Sequence, residues 1–147
     1  MKIHKTAIFV ILLSYWIISC QESIHYHSYQ PVSPTGWERM DTLSFTIEKA
    51  IQARNTYEYQ IGIRHKDSYK YRDLWLTINE DTIHLFLADD KGNWFGKGFG
   101  ELRQFICPFY PSTHSDTIKT FQINHIMRDN PLIGIQDIGI QINLVSD

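Results

Sequence analysis

Thr56-Tyr57-Glu58-Tyr59-Gln60-Ile61-Gly62-Ile63-Arg64-His65 puts Tyr57, Tyr59, Ile61 and Ile63 on one side of an extended chain and Glu58, Gln60 and Arg64 on the other. That period of two belongs to a half-buried β-strand. A turn with Asp67 and Ser68 follows, after which Leu74, Leu76 and Ile78 alternate with Trp75 and Thr77. The two runs are expected to pair as an antiparallel hairpin. Upstream, Leu43-Ser44-Phe45-Thr46-Ile47 alternates in the same way. Downstream, the turn Asn79-Glu80-Asp81-Thr82 leads to Ile83, Leu85 and Leu87 interleaved with His84 and Phe86. A second turn spans Ala88 to Asn93, and Gly96, Gly98 and Gly100 predict a bulged or irregular connection. Leu102 to Tyr110 and Ile118 to Asn124 read as strands around a loop from Pro111 to His114. His125 to Asn130 reads as a short helical or irregular piece. Ile138, Ile140 and Ile142 share one face of a closing strand from Ile135. About seven short strands, with no 3.6-residue period and no internal repeat, define an all-β chain: an antiparallel β-sandwich, jelly-roll or Ig-like.

The N-terminus carries a different message. Lys2, His4 and Lys5 precede the apolar run Ala7 to Ile18, and the run ends Ile17-Ile18-Ser19-Cys20. A basic start and a short apolar centre make a secretory signal peptide, and the run is shorter than the roughly 20 residues of a membrane-spanning helix. The last four residues fit a bacterial lipobox, so Cys20 is expected to take a diacylglyceryl group and become the mature N-terminus. Such a lipid would hold the domain at a membrane. Gln21 to Pro34 is polar and aromatic, with His25, Tyr26, His27 and Tyr29, and reads as a flexible tether. The expected organisation is a leader over 1–19, a lipidated N-terminus and tether over 20–36, and a single domain over 37–147.

The formal charge is −2. The leader holds Lys2 and Lys5 and no acid, so its removal takes the charge from −2 to −4. That balance does not point to nucleic acid. Beyond Cys20 the chain has only Cys107, inside Phe105-Ile106-Cys107-Pro108-Phe109, where a buried, inert thiol is expected. His25 and His27 could offer a metal two imidazoles, but zinc asks for three or four fixed ligands; His65, His84, His114 and His125 lack ligand spacing and are expected on polar faces or in loops. Asp89, Asp90 and Glu101 flank the glycine-rich stretch beside Trp94, and turn capping explains them better than a glycosidase carboxylate pair. No Gly-x-Ser-x-Gly elbow is present, and no helix pattern follows the glycines to make a phosphate loop. No catalytic residue, metal ligand or cofactor is therefore assigned, apart from the covalent lipid on Cys20.

Contact chemistry is better represented. Arg64, Lys66, Tyr69, Tyr71 and Arg72 read as a compact basic and aromatic hairpin tip on an acidic domain, the best local candidate for binding a protein partner. Trp75, out of phase with its apolar neighbours, is expected to be core beneath a second covered face, the alternative being an interface residue. Exposed tryptophans among Trp37, Trp75 and Trp94 would instead suit a lipid-anchored carbohydrate-binding module.

Several unusual strings occur in order: Arg64 to Leu76, Asp81-Thr82-Ile83, Leu87-Ala88-Asp89, Gly92-Asn93-Trp94-Phe95-Gly96, Ile126-Met127-Arg128 and Leu132 to Ile140. With the lipobox, they make the chain resemble the gliding motility lipoprotein GldH family from one end to the other. The resemblance implies a cell-envelope lipoprotein, at the outer membrane, that supports surface motility and the associated secretion machinery in gliding bacteria. It implies no catalytic chemistry. Related chains also occur in bacteria that do not glide.

Overall fold

The computed structural model describes residues 23–112 and 119–145. The leader and Cys20 lie outside the described residues. Among the described residues, nine strands form two antiparallel sheets: β1 Ser23–Pro31, β2 Leu43–Thr46, β3 Thr56–Lys66, β4 Asp73–Ile78, β5 Asp81–Phe86, β6 Lys97–Phe99, β7 Leu102–Phe109, β8 Thr120–His125 and β9 Ile135–Val145. One sheet runs β1-β9-β3-β7-β6 and the other β2-β8-β4-β5. With β6 set aside, the orders 1-9-3-7 and 2-8-4-5 come from one antiparallel ribbon rolled up, in which β1 pairs with β9, β2 with β8, β3 with β7 and β4 with β5. This is the jelly-roll member of the two expected sandwich types.

The roll corrects one expectation directly. β3 and β4 do not form a hairpin, because β3 lies in the five-stranded sheet and β4 in the four-stranded one. Their apolar sets face each other across the core: Tyr59, Ile61 and Ile63 from one side, Leu74, Leu76 and Ile78 from the other. Alternation reveals which side of a strand is inward but not which sheet owns it. The hairpin is instead β4–β5, closed by Asn79 and Glu80, with Asn79 in the left-handed region at φ 53°.

Ser23–Pro31, expected within the tether, forms β1 and pairs along β9 from Leu144 to Asp137. The ordered domain thus begins before Trp37. The reason is pairing: β9 is flanked by β3 on one side and would expose its other edge without β1. The glycine-rich stretch contains the short edge strand β6, bound to Gln104, Arg103 and Leu102 of β7. No helix occurs among the described residues.

The core joins Ile61, Ile63, Ile138, Ile140 and Ile142 of the larger sheet to Phe45, Leu74, Leu76, Phe121 and Ile123 of the smaller. Each such side chain contributes about 1.5–3 kcal/mol by leaving water. Trp37 closes one end, bridged to Leu132 through both backbone groups, with its indole Nε1 donating to the Asp41 carbonyl at 2.7 Å. Two histidines expected on polar faces or in loops are instead fully buried. His65 Nδ1 donates to the Lys66 carbonyl and His125 Nε2 to the Trp37 carbonyl, at 3.0 and 2.9 Å. Burial holds both imidazoles below the ordinary histidine pKa, so they are neutral at pH 7.

Candidate functional site

The five residues grouped as a hairpin tip do not share a surface. Arg64 points outward from β3 on the five-stranded sheet, where its guanidinium carbon lies 4.1 Å from the centre of the Tyr29 ring and its Nη1 pairs with Asp137 at 3.4 Å. Lys66 is exposed at the end of β3, beside a small cleft with Ser33, Ser68 and Ile133. Tyr69 is only 3% exposed, and its hydroxyl donates to the Asp73 carbonyl at 2.9 Å. Tyr71 is half-buried against Tyr69, and its hydroxyl meets Asp129. Arg72 donates from Nη1 to the Asp89 carbonyl and the Asp90 carboxylate, each at 3.1 Å. The segment crosses between sheets, so its aromatic members enter the core instead of crowning a turn.

The acidic residues near the glycines behave as turn groups. The Asp89 carboxylate accepts from the backbone of Lys91 and Asn93 and from the Asn93 side chain. These donors hold its pKa below the usual carboxylate range. Among the described residues, no three His, Cys, Asp or Glu side chains come together to hold a metal. Cys107 is half-buried, and desolvation pushes its thiol pKa up.

Two surface features outweigh these. The first lies on the outer face of the five-stranded sheet, where the Tyr29 ring covers Gly62 and Gly139. A Cβ at either glycine would fall 1.9 Å or 2.5 Å from the tyrosine, so the pair forms a floor that only glycine permits. Arg64 covers the ring, and Asp137, mostly buried beside it, has its carboxyl pKa raised by desolvation despite the guanidinium.

The second feature is the side of the roll formed by β5, β6 and β7. Among the described residues, every exposed phenylalanine and tyrosine lies there: Phe86 (59% exposed), Phe95, Phe99 (67%) and Tyr110 (86%), joined by Ile106 (44%). An open groove runs between β5 and β7 past Ile83, Phe86, Phe105, Cys107, Pro108 and Tyr110. Two smaller depressions flank Phe99, one beside Arg64 and Arg103 and the other beside Lys97 and Ile106. Among the described residues, no Asp or Glu lines any of the three. Single residues of this kind are ordinary on a surface; their gathering along one edge of the sandwich, with Phe86 on the outer face of the four-stranded sheet and Phe99 and Ile106 on that of the five-stranded sheet, is a contact signature.

Trp75 adjoins this side on the outer face of the four-stranded sheet and is 39% exposed, so the face above it is open and not core. Its ring stacks on His84 at 3.9 Å and 10°, while His84 Nε2 lies 2.7 Å from the Asp73 carboxylate. One ring face is therefore already taken. Trp37 is buried, and Trp94 packs against His65 and Tyr69. The sequence reading missed the β5–β7 side because Phe86, Phe99 and Ile106 come from three strands whose adjacency only the roll creates. Phe99, Ile106 and the glycines around β6 were visible, but not their common direction.

Fold and surface together define a two-sheet jelly-roll domain whose prominent surface feature is an edge rich in exposed aromatic residues. The chain belongs to the GldH lipoprotein family: the family profile matches residues 24–142, from β1 through most of β9. It is similar to a protein of Christiangramia forsetii described as a gliding motility lipoprotein GldH homolog, with 23% identity over 94% of this chain and 96% of the relative. No solved structure matches the chain.

Proposed function

We propose that this protein is a non-enzymatic accessory lipoprotein of the cell envelope, held by a lipid on Cys20 at the outer membrane, that docks other envelope proteins and supports gliding motility, the associated secretion machinery, or both. Family membership supports the lipoprotein and motility part of this reading. The observation that carries the docking part is the concentration of Phe86, Phe95, Phe99, Ile106 and Tyr110 on the β5–β7 side, with Lys97 beside them and no acid lining the grooves. A mixed apolar and basic patch suits a protein partner better than a sugar.

The carbohydrate-binding alternative draws on Trp75. Sugar stacking needs an open ring face, and His84 already covers one face of this indole. Pull-down of the full-length protein from gently solubilised native membranes tests both readings, with Cys20→Ala and a Phe86→Ser/Phe99→Ser/Ile106→Ser variant alongside. Docking predicts defined envelope proteins with the parent and their loss with the triple variant. Retained glycans without protein partners would favour the sugar reading.

A further inference from the structure

The hydrogen-bond parity of β7 leaves part of its edge without a partner. Just past the end of β3, Asp67 N donates to the Glu101 carbonyl on the β7 side, whereas Lys66 N, at the last position of β3, donates to the Gly134 carbonyl on the β9 side. Odd residues of β3 thus face β7. Their register partners Arg103, Phe105, Cys107 and Phe109 bond back to β3. Even residues of β7 turn the other way: Leu102 and Gln104 meet Phe99 and Lys97 of β6. β6 then stops. Gly96, at φ +81°, carries the chain across the Gln104 carbonyl, where a Cβ would lie 2.0 Å from that oxygen. The next even positions are Ile106 and Pro108, and among the described residues no strand pairs with them on that side. Pro108 fits this assignment, since its missing N–H faces the vacant edge. Ile106 N–H, Ile106 C=O and Pro108 C=O remain for a strand that continues the line β6 abandons.

We infer that this edge receives an extended segment of a protein partner, added as a strand beside Ile106 to Tyr110. The inference rests on the docking reading above and names its mode. Main-chain groups would supply affinity, and alternate apolar side chains of the incoming segment would enter the groove between β5 and β7. Charge specifies a further feature of the segment. Lys97 makes no ion pair among the described residues, whereas Arg64 and Arg103 are held by Asp137 and Asp67. The incoming strand therefore carries an acidic residue near Lys97.

The test uses the full-length protein in native membranes, with the photoreactive residue p-benzoylphenylalanine replacing Tyr110, and in parallel Trp75, and with cross-linked peptides mapped by mass spectrometry. Strand addition predicts cross-links from position 110 to a segment of alternating apolar residues with an acid. Among main-chain hydrogen-bonding groups, Ile106→Pro removes only the edge-facing N–H, and its yield should fall about tenfold, the loss of one hydrogen bond. Ile106→Val keeps that N–H and should match the parent, and Lys97→Glu should reduce the yield where Lys97→Arg does not. If Ile106→Pro does not accumulate, the Lys97 pair decides. Undiminished cross-linking in Ile106→Pro, or a second copy of this chain as the product, overturns the inference. Cross-links from position 75 alone overturn strand addition and leave docking standing. Their absence from both positions overturns both readings.

Discussion

Tyr29 occupies a place that two glycines keep open. Its ring lies over Gly62 and Gly139, paired directly across β3 and β9, and Arg64 covers it. Gly139→Ala should cost about 1–3 kcal/mol in urea unfolding by overpacking this contact. In a Tyr29→Ala background most of that cost should vanish, because the colliding side chain is gone; an unchanged cost would place the strain in the backbone. Arg64→Ala removes the cation beside a mostly buried Asp137, whose folded pKa is already raised by desolvation. Its pKa then rises further, favouring protonation in the folded state. The variant's electrostatic loss relative to the parent should therefore be full above both folded pKa values and fade as pH falls through them, a window that lies above the unfolded carboxylate value of about 4. The buried histidines act in the opposite sense. His65 and His125 have folded pKa values depressed by burial, so their stability contribution is complete above the unfolded value of about 6.5 and is lost as pH falls through the folded values. Unfolding midpoints measured between pH 8 and 5 should show that decline, and His65→Gln/His125→Gln should flatten it.

At the scale of elements, β1 and β6 show where sequence patterns stop being informative. The interior strands were legible because apolar alternation in Tyr59 to Ile63, Leu74 to Ile78 and Ile138 to Ile142 reports burial of one face. β1 has no such signature: His25, Tyr26, His27 and Tyr29 mix polarity on both sides, and its place comes from main-chain pairing with β9. β6 is three exposed residues held by β7, with nothing in its composition to mark a strand. The jelly roll also scattered the supposed basic tip, since charge and aromatic spacing along one segment carry no information about which sheet follows. β1 being integral yields a prediction that a tether would not. Deleting residues 23–31 should abolish cooperative thermal unfolding or lower its midpoint strongly, because the edge of β9 and the core beneath Tyr26 would be opened; a domain that melts as before would restore the tether reading. Gly96→Ala should displace β6, since it combines a left-handed φ with a backbone collision, at a cost of about 2 kcal/mol or more. Hydrogen exchange should then show deprotection of Lys97 to Phe99 before that of β3 or β9.

For the whole molecule, the distribution of apolar surface separates scaffold from contact. The isoleucine-rich interior and the β1–β9–β3 sheet make the domain, while the β5–β7 side concentrates exposed aromatic surface in an otherwise acidic chain. β1, the first described strand, and β6 lie at opposite edges of the five-stranded sheet. The most direct measurement replaces the native gene with the Phe86→Ser/Phe99→Ser/Ile106→Ser form and follows both the amount of membrane-bound protein and the motility or secretion that depends on the native gene. These side chains are exposed, so the account predicts normal accumulation with function lost. Normal accumulation with full function would contradict it and move the working surface elsewhere on the roll.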